Sequence, residues 1–184
     1  MSLDWMSVLG RQPWTMAANL PYNVAVPLLL RMLDDARHVS TFVVMVQREV
    51  ADRLAAAPGA RAYGAVSAKV SYRAGVEVLR RVPREVFWPR PTIESTVLRI
   101  TRRPARLGAD VDAGSLFAVI DVAFAERRKT MSNAVRRLGL AAAEARAVLA
   151  VGGIDPNARP QTLDLDAFAR LTSVLIDDGV LPDR

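Results

Sequence analysis

With 184 residues, 51% of them hydrophobic, the chain can bury one good core, or a moderate domain with a small companion, without cross-links. It contains no cysteine, which excludes disulfides, thiolate zinc sites and cysteine nucleophiles, and fits a reducing cytosol. The net charge of +6 is concentrated: residues 73–106 carry nine basic and three acidic side chains, and residues 126–137 carry five and one. Only Lys69 and Lys129 among the basic residues are lysines, so guanidinium forks dominate, and these suit phosphate oxygens and stack on bases. A solvated arginine-rich surface is the plain reading of such charge. Because neither block has the pattern of a long amphipathic helix, the clustering favours nucleic acid over a membrane surface.

In chain order, residues 1–20 lack a basic start followed by an apolar core, so no signal peptide is predicted. The longest apolar runs, Val24–Leu30 and Phe42–Val46, fall far short of the roughly 20 residues that span a bilayer. These features predict a soluble, cytoplasmic protein. The run "HVSTFVVMV" (His38–Val46) reads as a buried strand, and "QREVADRLAAAPG" after it as a helix stopped by Pro58 and Gly59. "VEVLRRV" (Val76–Val82) and "STVLRITRR" (Ser95–Arg103) alternate like strands with one wet face, joined by a proline-rich loop. From Asp112 the pattern turns helical: 112–128, 131–138, 141–151 and 165–177, with Asp112 and Asp164 as N-caps and Gly139 and Gly152 as stops. The solitary His38 reads as structural or exposed.

Three motifs carry chemistry. In "NLPY" (Asn19–Tyr22) the proline holds Leu20 extended and fixes its own φ, so carbonyl acceptors, the Asn19 amide and the Tyr22 ring lie close together. Such a cluster suits a planar heterocycle with an exocyclic amine, whose hydrogens go to the Asn19 oxygen and a carbonyl while the ring stacks on Tyr22. An ordinary strand-to-helix turn is the competing reading. In "VFWPRP" (Val86–Pro91) two prolines hold aromatics extended between Arg84 and Arg90, a mix that stacks a base and neutralises its phosphate, or else packs as a hydrophobic loop. In "AFAERRKTMSNAVRRL" (Ala123–Leu138), read as helical, Arg127, Arg128, Lys129, Arg136 and Arg137 form a phosphate-binding surface or a solvated helix end.

Taken together, "NLPYNVAVPLLL", "MVQREVADRL", "YGAVS", "VFWPRPTIES", "FAERRKTMSNAV" and "GIDPNARPQTLDLDAFARL" resemble, in order and spacing, the ribosomal RNA adenine dimethyltransferases. The chain looks most like the bacterial small-subunit branch, and the likeness runs from about Leu3 to Asp177. The resemblance implies an α/β fold: the carboxy-terminal half of a Rossmann-like S-adenosylmethionine-dependent methyltransferase domain over residues 1–105, then a small all-helical RNA-binding domain over 106–184. It implies methyl transfer from S-adenosylmethionine to the 6-amino groups of two adjacent adenosines in a hairpin of small-subunit rRNA, on a pre-assembled 30S ribosomal subunit. Asn19 and the Leu20 carbonyl would accept the amine hydrogens, with Asn19 also facing the cofactor. Pro21 would fix the turn, and Tyr22 and Phe87 would cover the two faces of the adenine. Arg127, Arg128 and Lys129 would grip the rRNA backbone, and no metal is called for.

One departure is serious. The family's Gly-rich cofactor turn and its acidic partners fall before residue 3, and the chain has no G-x-G-x-G. The sequence therefore reads as a carboxy-terminal portion that by itself neither binds S-adenosylmethionine nor methylates RNA, and whose open sheet edge favours self-association. A non-catalytic RNA-binding or ribosome-assembly module, or another nucleic-acid adenine methyltransferase such as a DNA enzyme, are the alternatives.

Overall fold

A computed structural model describes residues 5–10, 12–21, 23–104 and 111–182. Its elements in chain order are α1 (Trp5–Leu9), β1 (Trp14–Asn19), α2 (Ala25–Asp35), β2 (Val39–Gln47), α3 (Arg48–Leu54), α4 (Ala65–Ser71), β3 (Ala74–Val82), β4 (Ser95–Arg102), α5 (Ala113–Ala125), α6 (Met131–Arg136), α7 (Ala142–Val151) and α8 (Leu165–Asp177). They form two compact units, Met1–Ala55 with Arg73–Pro104, and Ala56–Tyr72 with Ala105–Arg184. The sequence reading divides the chain once, in a stretch whose residues 105–110 lie outside the described ones; the second unit also includes Ala56–Tyr72.

The first unit is built on a four-stranded sheet of order β1-β2-β4-β3. β1 and β2 run parallel, as a strand–helix–strand crossover through α2 requires, and β4 is antiparallel to both β2 and β3. The centre of the sheet takes the apolar residues: Phe42, Val44 and Val46 of β2 and Leu98 and Ile100 of β4 are buried. β3, expected to have one wet face, departs from that pattern. Residues 77–81 are all exposed, and a register shift between Val78 and Arg80 breaks the alternation at Leu79.

α2 buries Ala25, Leu29, Met32 and Leu33, the i, i+4, i+7, i+8 face of a helix. Its Pro27 falls in the first turn, where the missing N–H costs no intrahelical bond. At the other end Arg102 reaches across from β4 and donates to the carbonyls of Leu33 (2.6 Å), Met32 (3.3 Å), Ala36 (3.1 Å) and Val39 (3.1 Å). Four of the five guanidinium N–H groups thus satisfy the carbonyl end of α2 and the turn that follows it. Arg73 is buried and ion-paired with Asp34, and Arg99 pairs with Glu77 directly across the β3–β4 ladder. The basic block at 73–106 is therefore only partly a surface for a partner, because Arg73, Arg99 and Arg102 have structural roles within the unit.

In the second unit the caps form as the sequence predicts. Asp112 accepts from the backbone N–H groups of Gly114 and Ser115, and Asp164 from that of Ala167. The core gathers Leu116, Ile120, Met131, Leu149, Phe168, Leu171 and Leu175, all fully buried. Tyr63, Ala68 and Tyr72 belong to this same core, which is why Ala56–Tyr72 groups with it. Tyr63 meets the Phe124 ring edge-on at 5.9 Å, and Tyr72 meets Phe117 at 5.3 Å. Burial, and then the Asp164 carboxylate, push the Tyr63 hydroxyl up to about 12, so it stays neutral across the physiological range.

Two helix ends differ from expectation. α5 stops at Ala125, before the arginines, with Glu126 at φ −130° and ψ 63°. After α7 the left-handed residue is Gly153 (φ +67°), whereas Gly152 keeps a helical φ of −71° and supplies close approach instead: a Cβ there would lie 3.7 Å from the Leu171 Cα. Among the described residues no helix is long and apolar enough to cross a membrane, and no cluster of His, Asp and Glu has the arrangement of a metal site.

Candidate functional site

The ladder puts the "NLP" motif at one edge of the sheet. Asn19, last residue of β1, pairs with Met45, which pairs with Val97 of β4, which pairs with Arg80 of β3. The Leu20 amide donates to the Met45 carbonyl at 3.0 Å, so the chain stays extended for one further residue and Leu20 buries its side chain. Pro21 then turns the chain, and its carbonyl accepts from the Val24 N–H at 3.2 Å. The Asn19 side chain is exposed and has no hydrogen-bond partner among the described residues. Tyr22 lies outside the described residues.

Two rows further on stand Gln47, Ser95 and Val82, and from that row the 83–94 loop rises at the same carboxyl edge as Asn19. With strands about 4.8 Å apart, β1 and β4 are separated by roughly 10 Å across this edge. Arg48 clasps the loop's end: its side chain meets the Glu94 carboxylate at 2.6 Å and its N–H meets the Glu94 carbonyl at 2.9 Å. Phe87 is half-buried, whereas Trp88, joined to Pro89 by a cis peptide bond, is 97% exposed. Arg84 and Arg90, predicted to face a phosphate, are both exposed and gather on Glu85, Arg84 through its Nε at 3.3 Å. A hydrogen bond from its own backbone N–H, then Arg90 and Arg84, hold the Glu85 carboxyl below its ordinary range. Glu85 stands between the two arginines in the sequence, so the pairing was visible there as a local acid among bases.

In the second unit the basic motif is a turn followed by a short helix. Residues 126–129 are all exposed, and the Lys129 N–H closes the turn on the Glu126 carbonyl at 2.8 Å. Arg127 and Arg128 therefore project from this turn and not from a helix face. Arg127 donates to the Arg61 carbonyl at 3.0 Å, and Arg137 pairs with Glu126 at 2.9 Å. Arg128, Lys129 and Arg136 make no ion pair among the described residues. Lys129, Arg136, Asn133 and Leu140, with the Arg137–Glu126 pair, line an open cleft of about 360 Å³ whose net charge is positive. Such a set presents positive charge and hydrogen-bond donors to a run of phosphates.

The carboxyl edge of the sheet offers acceptors for an amine, but it does not fit a nucleoside sulfonium donor. Such a donor calls for a glycine turn and a free carboxylate for its ribose. Among the described residues, Glu49, Glu94 and Glu85 beside this edge are ion-paired with arginines: Glu49 with Arg53, Glu94 with Arg48, and Glu85 with Arg84 and Arg90.

The chain is similar to known proteins over most of its length. A sequence model of the ribosomal RNA adenine dimethylase family matches residues 5–177. Ribosomal RNA small subunit methyltransferase A of Cutibacterium acnes is 45% identical over 99% of this chain, and the proteins of that name from Rhodococcus opacus and Thermobifida fusca are each 46% identical over 91% and 87%. The chain spans 62%, 57% and 55% of the length of these three relatives. Two crystal structures share the fold. A dimethyladenosine transferase from Plasmodium falciparum superposes with a TM-score of 0.73 at 19% identity, over 90% of this chain and 67% of its own. The 23S rRNA methyltransferase ErmE superposes with a TM-score of 0.65 at 17% identity, over 89% and 66%. At those identities the likeness establishes the fold, which is Rossmann-like. Matched over residues 5–177 by the family model and over nearly its whole length by relatives at about 45% identity, the chain belongs to the ribosomal RNA adenine dimethylase family.

Proposed function

We propose that this chain carries the target-base side of an enzyme that transfers methyl groups from S-adenosylmethionine to the 6-amino nitrogens of two adjacent adenosines in small-subunit ribosomal RNA. The reading rests on Asn19, exposed at the carboxyl end of β1 on the same sheet edge as the Phe87 loop. The Asn19 oxygen and the Leu20 carbonyl accept the two hydrogens of the amine. An aromatic amine is a poor nucleophile because its lone pair is delocalised into the ring. Two fixed acceptors favour the pyramidal nitrogen that frees the pair, so no strong base is required. Pro21 fixes the carbonyl, and Tyr22 and Phe87 hold the two faces of the adenine. Asn19 also borders the cofactor. S-adenosylmethionine supplies the methyl group when bound, but the described residues do not form its site alone, so the donor pocket is assigned to a segment other than these.

The basic turn and α6 grip the rRNA backbone through Arg128, Lys129 and Arg136, with Arg127 and Arg137 beside them. Changing Arg128, Lys129 and Arg136 together to glutamine is expected to weaken rRNA binding and to lower the slope of log affinity against log salt by about 2–3, near 0.7–0.9 for each phosphate no longer neutralised. Titrations at several salt concentrations measure this. An unchanged slope would remove these three residues from the interface.

The family's description favours RNA over the duplex DNA of other adenine methyltransferases. A non-catalytic RNA-binding role is the second reading, and the ion-paired acids at the sheet edge favour it for the chain alone. The deciding experiment supplies the chain with the amino-terminal portion of the Cutibacterium acnes relative and measures methyl transfer to small-subunit rRNA. Transfer that depends on Asn19 supports the enzyme. RNA binding without transfer supports the binding module.

A further inference from the structure

The indole of Trp88 is 97% exposed, although tryptophan is among the residues most covered on average in folded proteins. It does not stand on a loose segment. Pro83, Pro89 and Pro91 fix three φ angles of the loop, and a turn closes it through Phe87 N–H to the Arg84 carbonyl at 3.4 Å. The Arg48–Glu94 clasp ties its far end to the first residue of α3. Arg84 and Arg90 flank the ring in sequence and meet on Glu85, and β3 enters the loop with Arg80 and Arg81 exposed. An uncovered aromatic face on a loop bordered in sequence by four exposed arginines, two of them sharing Glu85, matches one ligand chemistry: an unpaired nucleobase with its flanking phosphates. An acidic peptide would use the arginines but leave the flat ring without a matching partner. Phe87 is half-buried and already assigned to the target adenine, so the two adjacent aromatics do different work.

We infer that Trp88 stacks on an unpaired base next to the target adenosine, holding open the gap that the target leaves when it turns out of its stack. This contact rests on the proposed function and adds to it a second base platform at the sheet edge. It agrees with a substrate whose target adenosines are neighbours, because the base not being modified needs a support of its own.

The test uses the 184-residue chain with Trp5 and Trp14 changed to phenylalanine, so that emission reports Trp88 alone. The probes are a small-subunit rRNA hairpin with two adjacent loop adenosines and a fully paired RNA duplex of equal length. The hairpin is expected to quench Trp88 emission, and the duplex to leave it unchanged. Trp88→Ala is expected to weaken hairpin binding by about 5- to 140-fold, the range for one stacked base, while Trp88→Phe keeps most of it. Unaltered emission at saturating hairpin, or equal hairpin binding by Trp88→Ala, would overturn the inference while leaving the functional reading intact. Absence of binding to either RNA would overturn both. Sedimentation of the same variants covers a protein partner: loss of self-association in Trp88→Ala with RNA binding unchanged would assign the ring to a contact between chains and overturn the base platform.

Discussion

Asn19→Ala, in the chain supplied with the amino-terminal portion of the Cutibacterium acnes relative, is expected to lower methyl transfer to small-subunit rRNA by roughly 10²–10³-fold, as loss of one preorganised hydrogen-bond partner does elsewhere. RNA affinity should hardly change, because the phosphate contacts lie on other residues. Asn19→Asp keeps an acceptor and should retain more of the rate than alanine. The physical reason is local. The Leu20 amide is tied to Met45 at 3.0 Å and the Pro21 carbonyl to Val24 at 3.2 Å, so the backbone around Asn19 is held while its side chain stays exposed. Single-turnover rates with saturating RNA measure the effect. Equal rates for wild type and Asn19→Ala would move the amine acceptor to another group.

Arg102→Met is the second large effect, and it bears on stability. The substitution keeps an apolar stem and removes donors from four carbonyls, Met32, Leu33, Ala36 and Val39. Charge-assisted bonds to partly buried carbonyls are among the stronger ones, and three of the carbonyls left behind, those of Met32, Leu33 and Ala36, are at the negative end of α2. A loss of about 2–4 kcal/mol is expected. For a chain of this length that lowers the melting temperature by on the order of 5–15 °C. All three tryptophans, Trp5, Trp14 and Trp88, belong to the first unit, so their fluorescence follows the unit that Arg102 supports. Arg102→Lys should recover part of the loss, since it keeps charge without the fork. A change under about 1 kcal/mol would mean that water replaces the guanidinium at the helix end.

Arg102 also illustrates what the sequence did and did not carry. The strands β2 and β4, the helix α8 and the caps Asp112 and Asp164 were legible because local rules govern them: apolar runs, alternation and a side-chain oxygen just before a helix. Where a long-range partner decides, local reading failed. Arg73, Arg99 and Arg102 counted as surface charge until the fold set them against Asp34, Glu77 and the end of α2. β1 was not expected as a strand, because "WTMAAN" has weak alternation and becomes a strand by pairing in parallel with β2. The early end of α5 follows from the turn that Lys129 closes on Glu126, which no helix propensity announces. The candidate site was legible in its motifs and not in its shape. Only the register shows that Asn19 and the Phe87 loop share one edge of the sheet, and nothing in "REVFWPR" alone shows that Phe87 turns half inward while Trp88 stands in solvent.

Under the proposed function this chain holds the adenine acceptor and the RNA grip, and the methyl donor's site needs a further segment. Titration calorimetry of the 184-residue chain addresses it directly, with a small-subunit rRNA hairpin in one experiment and S-adenosylmethionine in the other. The expected results are saturable, salt-dependent heat with the hairpin and no measurable heat with S-adenosylmethionine. Micromolar binding of S-adenosylmethionine by the chain alone, or no binding of the hairpin, would contradict that reading.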